Sequence, residues 1–350
     1  MNNSKTRNIV LADTAAENVA PFAQALAEIS GEPFEINTAI TNRKQYRGIE
    51  KLRVLSAYFL FPLKHYFHRK RYNYVVGWQQ FFATNYAMWC RLLGSKHAGK
   101  VIIGNFTYKK RNGSLKQKLY DRYMRYALNS KAVYRIHVPS QKYADSISEE
   151  LNLPISKFIV TSFGTNDMSG QWSKLLSPVD YPYTLSIGRS NRDFDFLLDL
   201  WSQSPLAGER LIIISDTWQP KKALPDNVVH LTDVTGNDSF PYIANCKASV
   251  VSMDDPLICS GDTVLINSMM MSKPIVVTAP SAIADVYVDD DVTGLCIAKD
   301  TGEASRVAQL LGDSRRMAQL GAQARAKYLD NYTLAAMGRQ LMTKVVDSES

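Results

Sequence analysis

The sequence predicts an α/β fold of two Rossmann-like domains, each a doubly wound parallel sheet. Three observations predict it. Short β-branched runs alternate with helix-length segments along most of the chain, the pattern of repeated βα units. The chain has 350 residues, enough for two cores of ordinary size. A polar stretch from Met168 to Tyr183, with Pro178 and Pro182, interrupts the alternation near its middle.

The clearest unit lies late in the chain. Ala248 to Met253 and Ile275 to Thr278 are β-branched runs, and between them stand a small polar turn and an apolar segment, Val264 to Met271, closed by Ser272-Lys273-Pro274. This reads as strand, loop, helix and strand. The helix is apolar nearly all round, so it is expected to be buried. Gly261 would let a ligand approach the backbone, and the N–H groups of Gly261, Asp262, Thr263 and Val264 would favour a phosphate. The same glycine could equally serve the turn alone.

From the N-terminus, Asn8 to Asp13 reads as a first strand and Thr14 to Ile29 as a helix. The turn between them has no glycine, so it is no dinucleotide fingerprint. Asp13 is either a helix N-cap or a side chain facing ligand at a strand's carboxyl end. Strands at Tyr74–Gly77 and Lys100–Gly104 continue the sheet, with Asn105 just past the second. Ala132–Ser140 is a strand, Gln141–Leu151 a helix and Phe158–Ser162 a short strand. After the interruption, strands at Tyr183–Ile187, Arg210–Ser215, Asn227–Leu231 and Thr293–Ala298 are expected. Helices are expected over Asp193–Trp201, Asn237–Lys247, Glu303–Leu311, Ser314–Tyr328 and Leu334–Val346.

Composition narrows the function. Hydrophobic content of 45% and charged content of 21% belong to a globular chain rather than a disordered one. No signal peptide and no run near the ~20 apolar residues of a spanning helix is visible. The four cysteines form no zinc or disulfide pattern, which suits a reducing cytoplasm. His65, His68, His97, His137 and His230 show no metal spacing. Residues 1–170 carry 25 Lys+Arg against 11 Asp+Glu, a balance of +14 inside a net charge of +8. From Arg43 to Arg135 those cations are interleaved with aromatics, as in Tyr58 to Tyr72. Such a surface suits an anionic membrane; it could also bind single-stranded nucleic acid or be a solvated face over an aromatic core. The membrane is the expected partner, and nucleic acid is not.

Four passages in order resemble the GT-B glycosyltransferases, and within them family 4, the retaining sugar transferases of bacterial polysaccharide assembly. They are Val138-Pro-Ser140 through Phe163-Gly-Thr-Asn-Asp167, then Ser186-Ile-Gly-Arg189, then Leu265 through Lys273-Pro274 to Val277, then Val292-Thr-Gly-Leu295. The resemblance covers residues 132–345 clearly and the first 130 weakly. It implies two Rossmann-like domains facing each other across a cleft: an acceptor-side domain at 1–168, a linker at 169–182, a nucleotide-sugar domain at 183–332, and a helix at 333–350 crossing back. The implied activity is transfer of a sugar from a nucleoside-diphosphate sugar, with no cofactor and no metal, to a membrane-associated, lipid-linked saccharide acceptor. That places the protein in the cytoplasm, peripheral on the inner face of the plasma membrane.

The family's glutamate pair, eight positions apart, is replaced by Cys259 and Asn267, and Arg192 stands in for the lysine after its Gly-Arg turn. The expected donor-binding residues are Gly188, Arg189, Arg192, Asp216, Ser260, Gly261, Asp262, Thr263, Val264 and Asn267. Arg189 and Arg192 would hold the diphosphate, Asn267 the ribose and Asp216 the base or ribose, while Asp262 would cap the helix and point away. Asp13 and Asn105 are the catalytic candidates, Asn105 replacing the family's histidine. Two further readings stay open: a catalytically inactive GT-B subunit that steadies a partner transferase, and a nucleotide-sugar epimerase.

Overall fold

Strands and helices alternate along most of the computed structural model, which describes residues 7–41, 49–108, 115–258 and 260–349. In chain order the first half contains β1 (Arg7–Ala12), α1 (Ala20–Ser30), β2 (Phe34–Thr38), α2 (Ile49–Phe67), β3 (Tyr72–Gly77), α3 (Gln80–Leu93), β4 (Lys100–Ile103), α4 (Leu115–Leu128), β5 (Val133–Val138), α5 (Gln141–Leu151) and β6 (Phe158–Val160). The second half contains α6 (Ser169–Trp172), β7 (Thr184–Ile187), α7 (Phe194–Trp201), β8 (Leu211–Ile214), β9 (Val228–Leu231), α8 (Phe240–Asn245), β10 (Ala248–Val251), α9 (Asp262–Met270), β11 (Ile275–Thr278), α10 (Ala282–Tyr287) and β12 (Gly294–Ile297). The helices α11 (Ala304–Gly312), α12 (Ser314–Asn331) and α13 (Leu334–Asp347) end the chain.

The strands form two six-stranded sheets, β2-β1-β3-β4-β5-β6 and β12-β11-β10-β7-β8-β9, and every pair in them is parallel. The chain divides into two units, Met1–Phe163 with Leu334–Ser350, and Gly164–Thr333. The sequence pattern puts the breaks at 168/169 and 332/333. Residues 164–168 join the second unit because Thr165 donates its N–H to the Tyr332 carbonyl (2.9 Å) and Asp167 is held by Arg325 (2.6 Å). The expected linker is partly helix: in α6 the indole of Trp172 is buried and stacked on Phe240, centroids 4.0 Å apart.

In the first unit, α1 and α13 pack together on one face of the sheet, with Val10, Val76 and Ile102 below them. The opposite face is covered by α3, α4 and α5 over Ile9, Val75, Val101 and Ile103. The basic, aromatic region that showed only two strands in the sequence contains three helices, α2, α3 and α4. The first helix starts at Ala20 rather than Thr14, with Pro21 in its first turn and Val19 at its N-cap, so Asp13 caps no helix.

The second unit buries Leu211, Ile213, Val250 and Val276 under α7 and α11. Its α9 is buried from Leu265 to Met270, as its all-round apolar sequence predicts. The helix is pinned to β10 by Ser268, whose hydroxyl lies 2.6 Å from that of Ser249. None of the described helices is long and apolar enough to cross a membrane.

Candidate functional site

The second sheet reverses its strand order between β7 and β10, and α/β sheets take ligands in the crevice beyond the strand ends at such a point. The loops that follow these two strands are 188–193 and 252–261. Backbone and side chains tie them together: Asp193 donates its N–H to the Ser252 carbonyl (3.1 Å), and the Asn191 side chain exchanges bonds with Asp255, accepting from its N–H (2.7 Å) and donating to its carbonyl (3.0 Å). Asn191 adopts φ 56°, a left-handed conformation that asparagine tolerates.

Arg192 lies within this loop pair. Its Nη1 donates to the carbonyls of Asn191 (3.2 Å) and Ser260 (3.3 Å), and its Nε to that of Ile187 (3.4 Å). Two glycines make the room. A Cβ at Gly188 would stand 2.6 Å from Arg192 Cγ, and one at Gly261 would stand 1.8 Å from Nη2. Gly261, at φ 96°, is the N-cap of α9, so the guanidinium rests at that helix's positive end. Among the described residues no carboxylate forms an ion pair with Arg192. Burial pushes its guanidinium down to about 10, an effect the Asp262 charge opposes, and the group remains a cation at neutral pH. A half-buried cation whose partners are carbonyls and the Met253 sulfur, beside a helix N-terminus, is a place for an anion.

The other expected donor residues divide. Ser260 is adjacent, and among the described residues no partner reaches its buried hydroxyl. Asn267 is 8% exposed, and no hydrogen bond of its amide is found among the described residues. Thr263 is exposed at the start of α9. Val264 donates its N–H to the Gly261 carbonyl (2.9 Å), so that donor is used inside the helix. Asp262 does not cap α9, since Gly261 in the left-handed region replaces a side-chain cap; its carboxylate instead accepts from the Tyr287 hydroxyl (3.1 Å). Arg189 is paired with Asp216, another of the expected donor residues. Its side chain is 74% exposed and its Nε meets Asp216 Oδ1 at 2.7 Å, while the Thr217 hydroxyl bonds its carbonyl (2.6 Å). Trp218, half-buried, packs beside Phe194 with centroids 5.2 Å apart. Cys259 lies outside the described residues.

Sequence reasoning missed Asn191 and Lys299. Lys299 follows β12 and bonds Asp193 (2.6 Å) and the Met253 carbonyl (3.2 Å), so it braces both loops. Nothing in its local sequence marks that role, because the contact joins strands far apart in the chain.

In the first unit the order reverses between β1 and β3. Asp13 follows β1 there, and burial raises its carboxyl above the usual carboxylate range, opposed by a backbone hydrogen bond. Asn105 follows β4 at φ 51°. Its N–H reaches His137 Nδ1 (3.2 Å), its Nδ2 reaches the Trp78 carbonyl (3.4 Å), and its Oδ1 is buried with no partner among the described residues. His137 Nε2 lies 2.9 Å from the Thr161 carbonyl, which fixes the neutral tautomer with the proton on Nε2. Among the described residues no group of three or more His, Cys, Asp or Glu side chains could hold a metal ion.

No protein-family model and no curated protein matches the sequence. Solved structures do. The chain is similar to HepE from Anabaena in complex with UDP (TM-score 0.60, 14% identity, covering 98% of this chain and 100% of that one). It is similar to a sucrose-phosphate synthase from Thermosynechococcus elongatus (TM-score 0.61, 16% identity, 98% and 100%). It is also similar to WaaG, a glycosyltransferase involved in lipopolysaccharide biosynthesis (TM-score 0.57, 13% identity, 96% and 99%). At these identities the likeness is one of fold, and with two six-stranded parallel sheets flanked by helices that fold is GT-B.

Proposed function

We propose that the protein is a glycosyltransferase that binds a nucleoside-diphosphate sugar at the β7/β10 crossing of its second unit. It transfers the sugar to a saccharide acceptor, lipid-linked and held at an anionic membrane face, in cell-surface or exopolysaccharide synthesis. The single observation that carries the donor half is Arg192, a half-buried cation bonded to carbonyls and the Met253 sulfur with no carboxylate ion pair among the described residues, lodged between Gly188 and the N-terminus of α9. Bond cleavage between the anomeric carbon and the diphosphate leaves negative charge on the leaving oxygen. A fixed guanidinium and a helix end stabilise that charge without reorganising. Asn267, one turn along α9, would bond a ribose hydroxyl through its amide. In the first unit, Asp13 and Asn105 would orient the acceptor hydroxyl, the raised carboxyl of Asp13 being suited to accept its proton. The reading is supported by neighbours of this fold that bind UDP and glucose or act in lipopolysaccharide biosynthesis.

The test is thermal shift of the whole protein with UDP, GDP, ADP and CDP. One of the four is expected to stabilise it by about 2.7 kcal/mol at a hundredfold excess over Kd. Arg192→Gln should abolish that shift, and Arg192→Lys should weaken it. A shift with none of the four would leave the inactive-subunit reading in its place.

A further inference from the structure

We propose that the outward face of α2 is the surface by which the first unit docks on an anionic lipid bilayer. This deepens the membrane placement proposed above, but it stands on a different observation from the donor site. Helix α2 is apolar on two faces. Tyr58, Phe61, Pro62, His65 and Tyr66 turn inward; Asn85 Nδ2 and Trp89 Nε1, both on α3, donate to the carbonyls of Tyr58 (2.8 Å) and Phe59 (2.9 Å). The other face presents Leu52, Leu55, Phe59, Leu60 and Phe67 to solvent, with Leu52 68%, Leu60 59% and Phe67 68% exposed. Positions 52, 55, 59 and 60 share one side of a 3.6-residue helix, so up to Pro62 this is a stripe and not a scatter; beyond that proline Leu63 and Tyr66 turn to the core and Phe67 is exposed at the helix end. A row of exposed leucine and phenylalanine of this length on a globular unit marks a contact surface.

The cations select its occupant. Residues 49–72 carry six Lys+Arg (Lys51, Arg53, Lys64, Arg69, Lys70, Arg71) and a single acidic residue, Glu50. On a helical projection Arg53 and Lys64 fall along one edge of the stripe, and both are exposed. The C-terminal end of α2 is fastened to the end of α3, where the Tyr66 hydroxyl donates to the Leu93 carbonyl (2.9 Å) and Arg69 Nε to that of Lys96 (3.2 Å). That brings Leu92 (58% exposed) and Leu93 (50%) to the end of α2 that carries Phe67, Lys70 and Arg71. Apolar side chains between cations match the layering of a bilayer interface, acyl boundary below and anionic headgroups around. A second copy of this chain would bring the same cations face to face, which charge disfavours.

The experiment is co-sedimentation of the full chain with vesicles of phosphatidylcholine alone and of phosphatidylcholine with phosphatidylglycerol. Wild type is expected on the anionic vesicles, less on the neutral ones, and less again as salt rises. Leu52→Gln/Leu60→Gln/Phe67→Gln should weaken anionic binding by roughly tenfold or more, with an unchanged melting point because all three side chains face solvent. Arg53→Gln/Lys64→Gln should reduce the preference for anionic over neutral vesicles. Wild type on neither vesicle, or the triple variant bound as tightly as wild type, would overturn the proposal. So would a dimer in solution that the triple variant dissolves without any vesicle binding, since the face would then join copies of the chain. The nucleotide-induced thermal shift is read on the same preparations; its loss alone would count against the donor reading and leave the docking surface standing.

Discussion

Asn267 and Arg192 were both readable as donor candidates from sequence, but for different reasons. Arg192 was a candidate by its place three residues beyond a Gly-Arg turn. Its partners were not readable, because the two glycines that admit it stand 73 residues apart in the chain, at 188 and 261. The pairing of Arg189 with Asp216 was not readable either, because nothing local announces that contact. At Asn267 the question was whether its amide bonds a ligand or a neighbouring strand. No protein partner of that amide is found among the described residues, although the residue is 8% exposed. An amide with no protein partner that keeps some exposure is open to a ribose hydroxyl. Asn267→Ala is therefore expected to weaken nucleotide affinity by ~1–3 kcal/mol and to leave the melting point of the empty protein nearly unchanged. Titration calorimetry beside a melting curve checks this. A lowered melting point with intact affinity would make the amide structural.

Helices with one apolar face, or buried all round, were legible as elements. The α5 helix has a single apolar stripe and its ends match the sequence reading, Gln141 to Leu151. Of the helices missed, two have a blurred period: α2 is apolar on two sides, and α3 mixes buried Asn85 and Thr84 with aromatics. The resemblance implied a last helix crossing back to the first domain, and α13 does belong to the first unit, but its pairing with α1 was not legible, since it joins the two ends of that unit. Its geometry explains Gly338. A Cβ there would stand 2.7 Å from the Phe22 carbonyl oxygen and 2.9 Å from Ala25 Cβ, so the two helices cross in direct backbone contact. Gly338→Ala must push them apart over Leu341, Met342 and Val345, all fully buried. The expected loss is ~1–3 kcal/mol in the first unit, visible as faster amide exchange in α1 and α13 with nucleotide affinity preserved. Unchanged exchange in both helices would contradict the close crossing.

Across the whole molecule, the repeated βα pattern made two parallel sheets legible, while the residues that titrate abnormally were not, because burial is a tertiary property. Two buried histidines, His65 and His137, both belong to the first unit, and burial pushes each down to about 4 from an ordinary 6.5. His65 lies 3.0 Å from the Tyr72 hydroxyl, and His137 joins Asn105 to Thr161. Both stay neutral in the folded unit while the unfolded chain takes up protons below pH 6.5. Stability is therefore whole above pH 6.5 and falls as pH drops toward 4, at ~1.4 kcal/mol per pH unit for each histidine. Asp13 works the other way in the same unit, because a carboxyl raised by burial gains stability on protonation. In the second unit, burial alone would raise Asp167, but its bonds from Arg325 and Ser169 hold it below the usual carboxylate range, so its contribution is lost only at more acid pH. Acidification from pH 7 to 4.5 is thus expected to open the first unit before the second. Amide exchange followed unit by unit would show β4, β5 and α3 losing protection first, and His137→Gln should flatten the slope of the first unit's stability against pH. Equal loss in both units, or a slope unaltered by the substitution, would show that these histidines do not govern the acid response.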